Sequence, residues 1–252
     1  MQGYVWSPDA AYAVRDASFY GAPIGILLID SSEPFVQGDV GNASTFGFPV
    51  RYERVPGCTI ERLVVRHDRS LVDAVIASAR KLVNDGARAI ASNCGFMLRM
   101  QEPVAEALDV PVLLSGLLQL PLVERSVSSR KKIGVITSTA RSLDLETVAL
   151  SGVDVSRVEI AGLDECVEFR SAFLDEKGII RPGLIEREVA QVASDLASRC
   201  DLGAVVMECA ALPAYASTVQ RAVGDIAVFD AVTLIESWFR SLHRSSFGNG
   251  HF

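Results

Sequence analysis

Two stretches of this chain run in the same order: a strand-like run, a helical run, a second strand-like run, then a cysteine. In the first, Ile24-Gly25-Ile26-Leu27-Leu28-Ile29 is continuously apolar, as in a strand buried on both faces. Leu71, Val75, Ala79 and Leu82 then follow helical spacing, with Asp68 or Ser70 as cap and Gly86 as the stop. Ala87-Arg88-Ala89-Ile90-Ala91 leads into Ser92-Asn93-Cys94-Gly95. In the second, Ile133-Gly134-Val135-Ile136 opens the stretch, and Ile185, Val189, Val192, Leu196 and Cys200 mark a helix face. Leu202 to Val206 then leads into Met207-Glu208-Cys209-Ala210. Alternation of this kind demands a parallel sheet flanked by helices, because parallel strands need long crossovers. The matched order points to an internal duplication. Ile226-Ala227-Val228-Phe229 reads as one more strand, followed by a helix from Ala231 to Leu242, and Pro111 to Pro121 reads as the crossover between modules. A division follows into 1–118, joined by 225–252, and 119–224.

The 252 residues are 49% apolar and 22% charged, the balance of a well-buried globular chain. No apolar run approaches the length that spans a bilayer, so no membrane association is expected. Met1-Gln2-Gly3-Tyr4-Val5-Trp6 lacks a basic segment followed by an apolar one, so no secretion signal is expected. Five scattered cysteines argue for reduced thiols in the cytoplasm, not a disulfide framework. A net charge of -7 argues against nucleic acid. Ligands of an open parallel sheet bind beyond the carboxyl ends of its strands, where Cys94 and Cys209 fall. Each precedes a segment able to start a helix, so a lowered thiol pKa is expected at both. Gly38 to Thr45 reads equally as a loop over the site or as ordinary surface. Cys58, Cys166 and Cys200 read as packing residues, and His67, His243 and His251 as unpromising partners for a thiol.

Ser92-Asn93-Cys94-Gly95 and Glu208-Cys209-Ala210-Ala211-Leu212-Pro213 resemble the two cysteine motifs of the aspartate/glutamate racemase superfamily. Ile26 to Ser31 resembles its first strand and loop, and Ile133 to Thr139 the strand and hydroxyl-rich loop of its second domain. The resemblance implies two pseudosymmetric parallel-sheet α/β domains with the active site between them, and neither pyridoxal phosphate nor metal. It implies that Cys94 and Cys209 work as opposed acid and base. It also implies that Asp30, Ser31, Ser92, Asn93, Gly95, Thr137, Ser138, Thr139 and Ala210 hold the substrate. The expected activity is cofactor-independent racemisation of an amino acid, a hydantoin or another small carboxylate by a homo-oligomer.

Two departures bear on substrate. Ala210 and Ala211 stand where amino-acid racemases carry a Thr and then a His or Glu, and Gly95-Phe96 replaces the Asn-Thr of glutamate racemases. Both favour a less polar substrate. Within the superfamily the alternatives are a maleate-type cis–trans isomerase or a decarboxylase. Outside enzymes, the alternative is a metabolite-binding protein that has kept the crevice and lost the reaction.

Overall fold

The computed structural model describes residues 21–243. The opening Met1 to Trp6, the closing Ser245 to Gly250 (expected to fray) and His251 lie outside the described residues. The first module runs β1 (Ile24–Leu28), β2 (Val50–Arg54), α1 (Val72–Asn84), β3 (Ala89–Ser92), α2 (Gln101–Glu106), β4 (Val112–Leu113) and α3 (Leu120–Ser126). The second runs β5 (Lys132–Thr137), α4 (Leu145–Ala149), β6 (Val158–Gly162), α5 (Val167–Phe169), α6 (Pro182–Arg199), β7 (Leu202–Met207), α7 (Ala216–Val223), β8 (Ala227–Phe229) and α8 (Ala231–Leu242).

Each module forms one four-stranded parallel sheet, in the orders β2-β1-β3-β4 and β6-β5-β7-β8. These are the same order twice, so the expected duplication and α/β fold are present in the topology. The crossover segment contributes a strand of its own, β4. Sequence periodicity passes over β2 and β6 because both are short edge strands: Val-Arg-Tyr-Glu-Arg carries three charges, and Val-Glu-Ile-Ala-Gly only partly alternates. The segment from 225 onward divides. β8 pairs with β7, while Ala231, Leu234 and Ile235 of α8 pack into a cluster with Ile24, Ile26 and Ala91 of the first module.

Helix α1 shows how patterning becomes packing. Val75, Ala79 and Leu82 share one face and are fully buried against the first sheet. The helix stops at Gly86, whose φ of 102° is readily reached only without a Cβ, and the Ala87 N–H reaches back to the Leu82 carbonyl at 3.0 Å. Burial of the Val75 and Leu82 side chains contributes about 1.5–3 kcal/mol each.

In both sheets the order reverses direction between the first strand and the third, at β1/β3 and β5/β7. Loops leaving these neighbours splay apart and open a crevice. Main-chain bonds fix the exits alike: Asn93 N–H to the Leu27 carbonyl at 3.0 Å, and Glu208 N–H to the Ile136 carbonyl at 2.8 Å. Asn93 and Glu208 are therefore equivalent positions, and so are Cys94 and Cys209. We predict that Leu82→Ala lowers unfolding free energy by about 2–5 kcal/mol in urea titration, through the cavity it leaves. A loss well under 1 kcal/mol would show that α1 does not anchor the first sheet.

Candidate active site

Both thiols line one small cavity between the modules, about 30 Å³ in volume, with Asn93, Gly95, Ser138 and Ala210 beside them. Of the other residues expected to hold substrate, five stand outside this lining. Asp30 pairs with Arg54 at 3.2 Å. The Ser92 hydroxyl donates to the Leu114 carbonyl at 2.7 Å, tying β3 to β4. Thr137 donates to Glu208, and the Thr139 N–H donates to the Thr137 hydroxyl at 3.4 Å. Ser31 is buried, and its side chain lies against Glu33, where it opposes the rise of that carboxyl's pKa.

The residue before each cysteine has the same structural task in both modules. Asn93 accepts from the Ile29 N–H through Oδ1 at 2.8 Å, which orients its amide and leaves Nδ2 without a protein partner among the described residues. Glu208 accepts from the Thr137 hydroxyl through Oε2 at 2.8 Å, and its Oε1 is buried and unpartnered among the described residues. That oxygen sits over Gly95: a Cβ there would come within 2.2 Å of Oε1 and 2.4 Å of the Glu208 carbonyl. Gly95 is thus required for the two cysteine loops to meet. β7 ends at Met207, so strand alternation does not extend to Glu208 and Cys209, and both line the cavity.

Sequence reading passed over Glu33, which lines the cavity after β1. No motif marks it, since it follows the strand by five residues in an irregular loop. Burial raises its pKa to about 8, with Asp39 and Glu176 adding like charge. Burial likewise raises Asp39 to about 7 and Glu208 to about 7, the latter opposed by the Thr137 hydroxyl and Ser138 N–H. The cavity lining contains these two glutamates and, among the described residues, no lysine, arginine or histidine.

The expected lowering of the thiol pKa values does not occur. Burial pushes both Cys94 and Cys209 well above the ordinary thiol value, and Glu208 pushes each further. The N–H of Phe96 and that of Ala211 oppose this at Cys94 and Cys209 respectively, and desolvation outweighs them. Cys58 is buried with its thiol raised to about 12, in keeping with a packing role. The Gly38–Thr45 loop is seated on the second module: Val40 N–H donates to the Ala210 carbonyl at 3.1 Å, and Gly38 abuts Ala214.

Two π-helical turns, Glu61–Val65 and Arg170–Leu174, reach the cavity from opposite modules, bringing Val64 from one and Phe173 and Leu174 from the other. They end identically. Arg66 and Asp68 N–H groups donate to Glu61 and Arg62 carbonyls, and Asp175 and Lys177 N–H groups to Arg170 and Ser171 carbonyls. Each terminates in a non-glycine residue with left-handed backbone, His67 at φ 52° and Glu176 at φ 48°. Such turns and such residues concentrate at functional sites. Glu176 also accepts from the Ser32 N–H at 2.8 Å, joining this turn to the loop that carries Glu33.

The fold is that of the racemases and their relatives. A glutamate racemase from Bacillus anthracis superposes with TM-score 0.57 at 17% identity, over 88% of this chain and 83% of that one. An aspartate racemase homologue from Pyrococcus horikoshii OT3 gives 0.54 at 17%, over 87% and 97%. Unliganded arylmalonate decarboxylase gives 0.53 at 13%, over 89% and 94%. No protein-family model matches the chain. Curated relatives carry a different activity. A dimethylsulfoniopropionate lyase from Durusdinium sp. clade D is 27% identical over 242 residues, 90% of this chain and 77% of its own. Dimethylsulfoniopropionate lyases 7 and 3 of Emiliania huxleyi are 27% and 28% identical over 232 residues; this chain spans 67% and 59% of their lengths.

These relatives overturn the expectation of a racemase, and with it the classification as an isomerase: seven curated matches are all named as lyases.

The Glu208–Gly95 contact yields two predictions. Gly95→Ala is expected to cost about 1–3 kcal/mol by overpacking, measured by chemical denaturation, and a neutral effect would contradict the contact. Because the folded Glu208 pKa lies above the ordinary glutamate value of 4.5, its stabilising effect is complete below about 4.5 and lost as pH rises through about 7. Glu208→Gln should flatten that decline in a pH series of melting temperatures. An unchanged profile would place the titration elsewhere.

Proposed function

We propose that this protein is a lyase that eliminates a neutral sulfide from a β-sulfonium carboxylate, with dimethylsulfoniopropionate as the type substrate. The observation that carries the reading is an acidic cavity around two thiols, without basic residues among the described residues. The named activity of the relatives supports it.

In such a reaction one thiolate takes a proton from the carbon beside the carboxylate. The C–H electrons form the carbon–carbon double bond, and the bond from the β-carbon to sulfur breaks with its electrons going to sulfur. Dimethyl sulfide departs neutral, acrylate remains, and the proton stays on the cysteine until solvent removes it. The leaving group needs no proton, so one base suffices where a racemase needs an acid and a base on opposite faces. Asn93 Nδ2 and the Ser138 hydroxyl are suited to hold the carboxylate, and Glu33 and Glu208 to face the sulfonium.

Charge explains how raised thiols become bases. A cation about 5 Å from a thiol, at an effective dielectric near 20, favours the thiolate by about 3 kcal/mol. The substrate would thus activate its own base, whereas a dicarboxylate would oppose ionisation. The same cation stabilises ionised Glu33 and Glu208. The five unpaired cysteines suit a reducing compartment, such as the cytoplasm.

Two outcomes are expected. At least one of Cys94→Ala and Cys209→Ala should lower sulfide release, followed by headspace gas chromatography, by about a hundredfold or more. Release surviving both substitutions would remove the thiols from the reaction. Secondly, cation binding needs ionised carboxylates whose pKa values lie at about 8 and about 7, so substrate KM should fall as pH rises through that range. Binding of the isostere with CH in place of the sulfonium sulfur should lack this gain. Equal pH dependence for both compounds would contradict the acidic cavity as the sulfonium site.

A further inference from the structure

A second pocket, about 320 Å³ in volume, lies back to back with the active cavity: Leu63 faces it, while the next residue, Val64, faces the thiols. Leu63, Val72, Met100 and Leu150 give it an apolar floor, and His67, Arg69 and Arg99 a polar wall. Its size lies at the small end of ligand pockets.

The polar wall contains two unanswered groups. The Arg99 side chain is 8% exposed and donates through Nη2 to both oxygens of Asp144, at 3.0 and 2.8 Å. Asp144 is itself held by the N–H and hydroxyl of Thr147, at 2.7 and 2.6 Å, as the cap of α4. That network leaves Arg99 Nε buried with no acceptor among the described residues, and His67 Nε2 is buried and unpartnered in the same wall. A shielded guanidinium N–H without an acceptor is costly, and such groups call for an explanation. His67 is held in place by its left-handed backbone and by stacking on Phe96, at 6.2 Å between centroids. Arg69 is exposed and has no ion pair among the described residues. Glu102, also exposed, is the one carboxylate in this lining.

We propose that this pocket binds a small organic carboxylate, its charge held by Arg99 Nε, His67 and Arg69 and its apolar end resting on Leu63, Val72 and Leu150. A planar guanidinium edge suits a carboxylate, and the floor favours an apolar group over a bare inorganic anion. The proposal is independent of the lyase reading.

The test is nuclear magnetic resonance of the isotope-labelled full chain, following backbone amides and arginine Nε–H signals during titration with propanoate, benzoate and inorganic phosphate. Benzoate or propanoate should shift the Arg99 Nε–H signal and the amides from Arg66 to Val72, saturating in the millimolar range. Arg69→Gln should weaken that binding about tenfold. His67→Asn should do the same, and asparagine tolerates the left-handed backbone, so the turn is kept. Shifts confined to the residues around Cys94 and Cys209, or no shifts at all, would overturn the proposal. Phosphate binding without carboxylate binding would overturn the ligand class.

Discussion

A carboxyl group of the second module rests on a glycine of the first, and the candidate site depends on that contact. Glu208 is 1% exposed, held by Thr137 on one oxygen, with the other oxygen over Gly95. The contact brings both cysteine loops to one cavity and sets a titratable group beside both thiols. Any side chain at position 95 would force the loops apart. The duplicated topology supplies the rest: two sheets of the same order present their switch points to one another, so that equivalent positions converge.

Burial at this joint determines the chemistry available. Desolvation raises the thiols and the carboxyls together, so the unliganded cavity favours neutral groups. A dicarboxylate entering it would add negative charge to a place already hostile to it. A sulfonium carboxylate brings a positive charge as well, which lowers the pKa of the groups that the sulfonium faces. Fold and chemistry are therefore separable here. The sheets are those of the racemases, while the charges around the cysteines fit elimination of a neutral leaving group.

The fold was legible in the sequence where hydrophobic burial dominates. The Ile24 to Ile29 run, the α1 face and the strands before both cysteines all lie in the cores and read directly as buried elements. The edge strands β2 and β6 were not legible, because one half-solvated pleat of five residues leaves no clear period. The cysteines were legible as a pair through their matched positions. Their company was only partly so. Asn93, Gly95, Ser138 and Ala210 lie beside them, but Asp30, Ser92, Thr137 and Thr139 are engaged in an ion pair and hydrogen bonds that spacing alone does not reveal. Glu33 and the two π turns had no local signature, since their position depends on how the second module folds over the first. The thiol pKa values went against expectation for a related reason: a helix start is visible in sequence, and the depth of burial that outweighs it is not.

The most direct measurement is proton nuclear magnetic resonance of dimethylsulfoniopropionate incubated with the protein in deuterium oxide. Elimination predicts the vinyl signals of acrylate and the methyl signal of dimethyl sulfide rising together in equal amounts. Substrate left uncleaved, with or without deuterium entering beside its carboxylate, would contradict it.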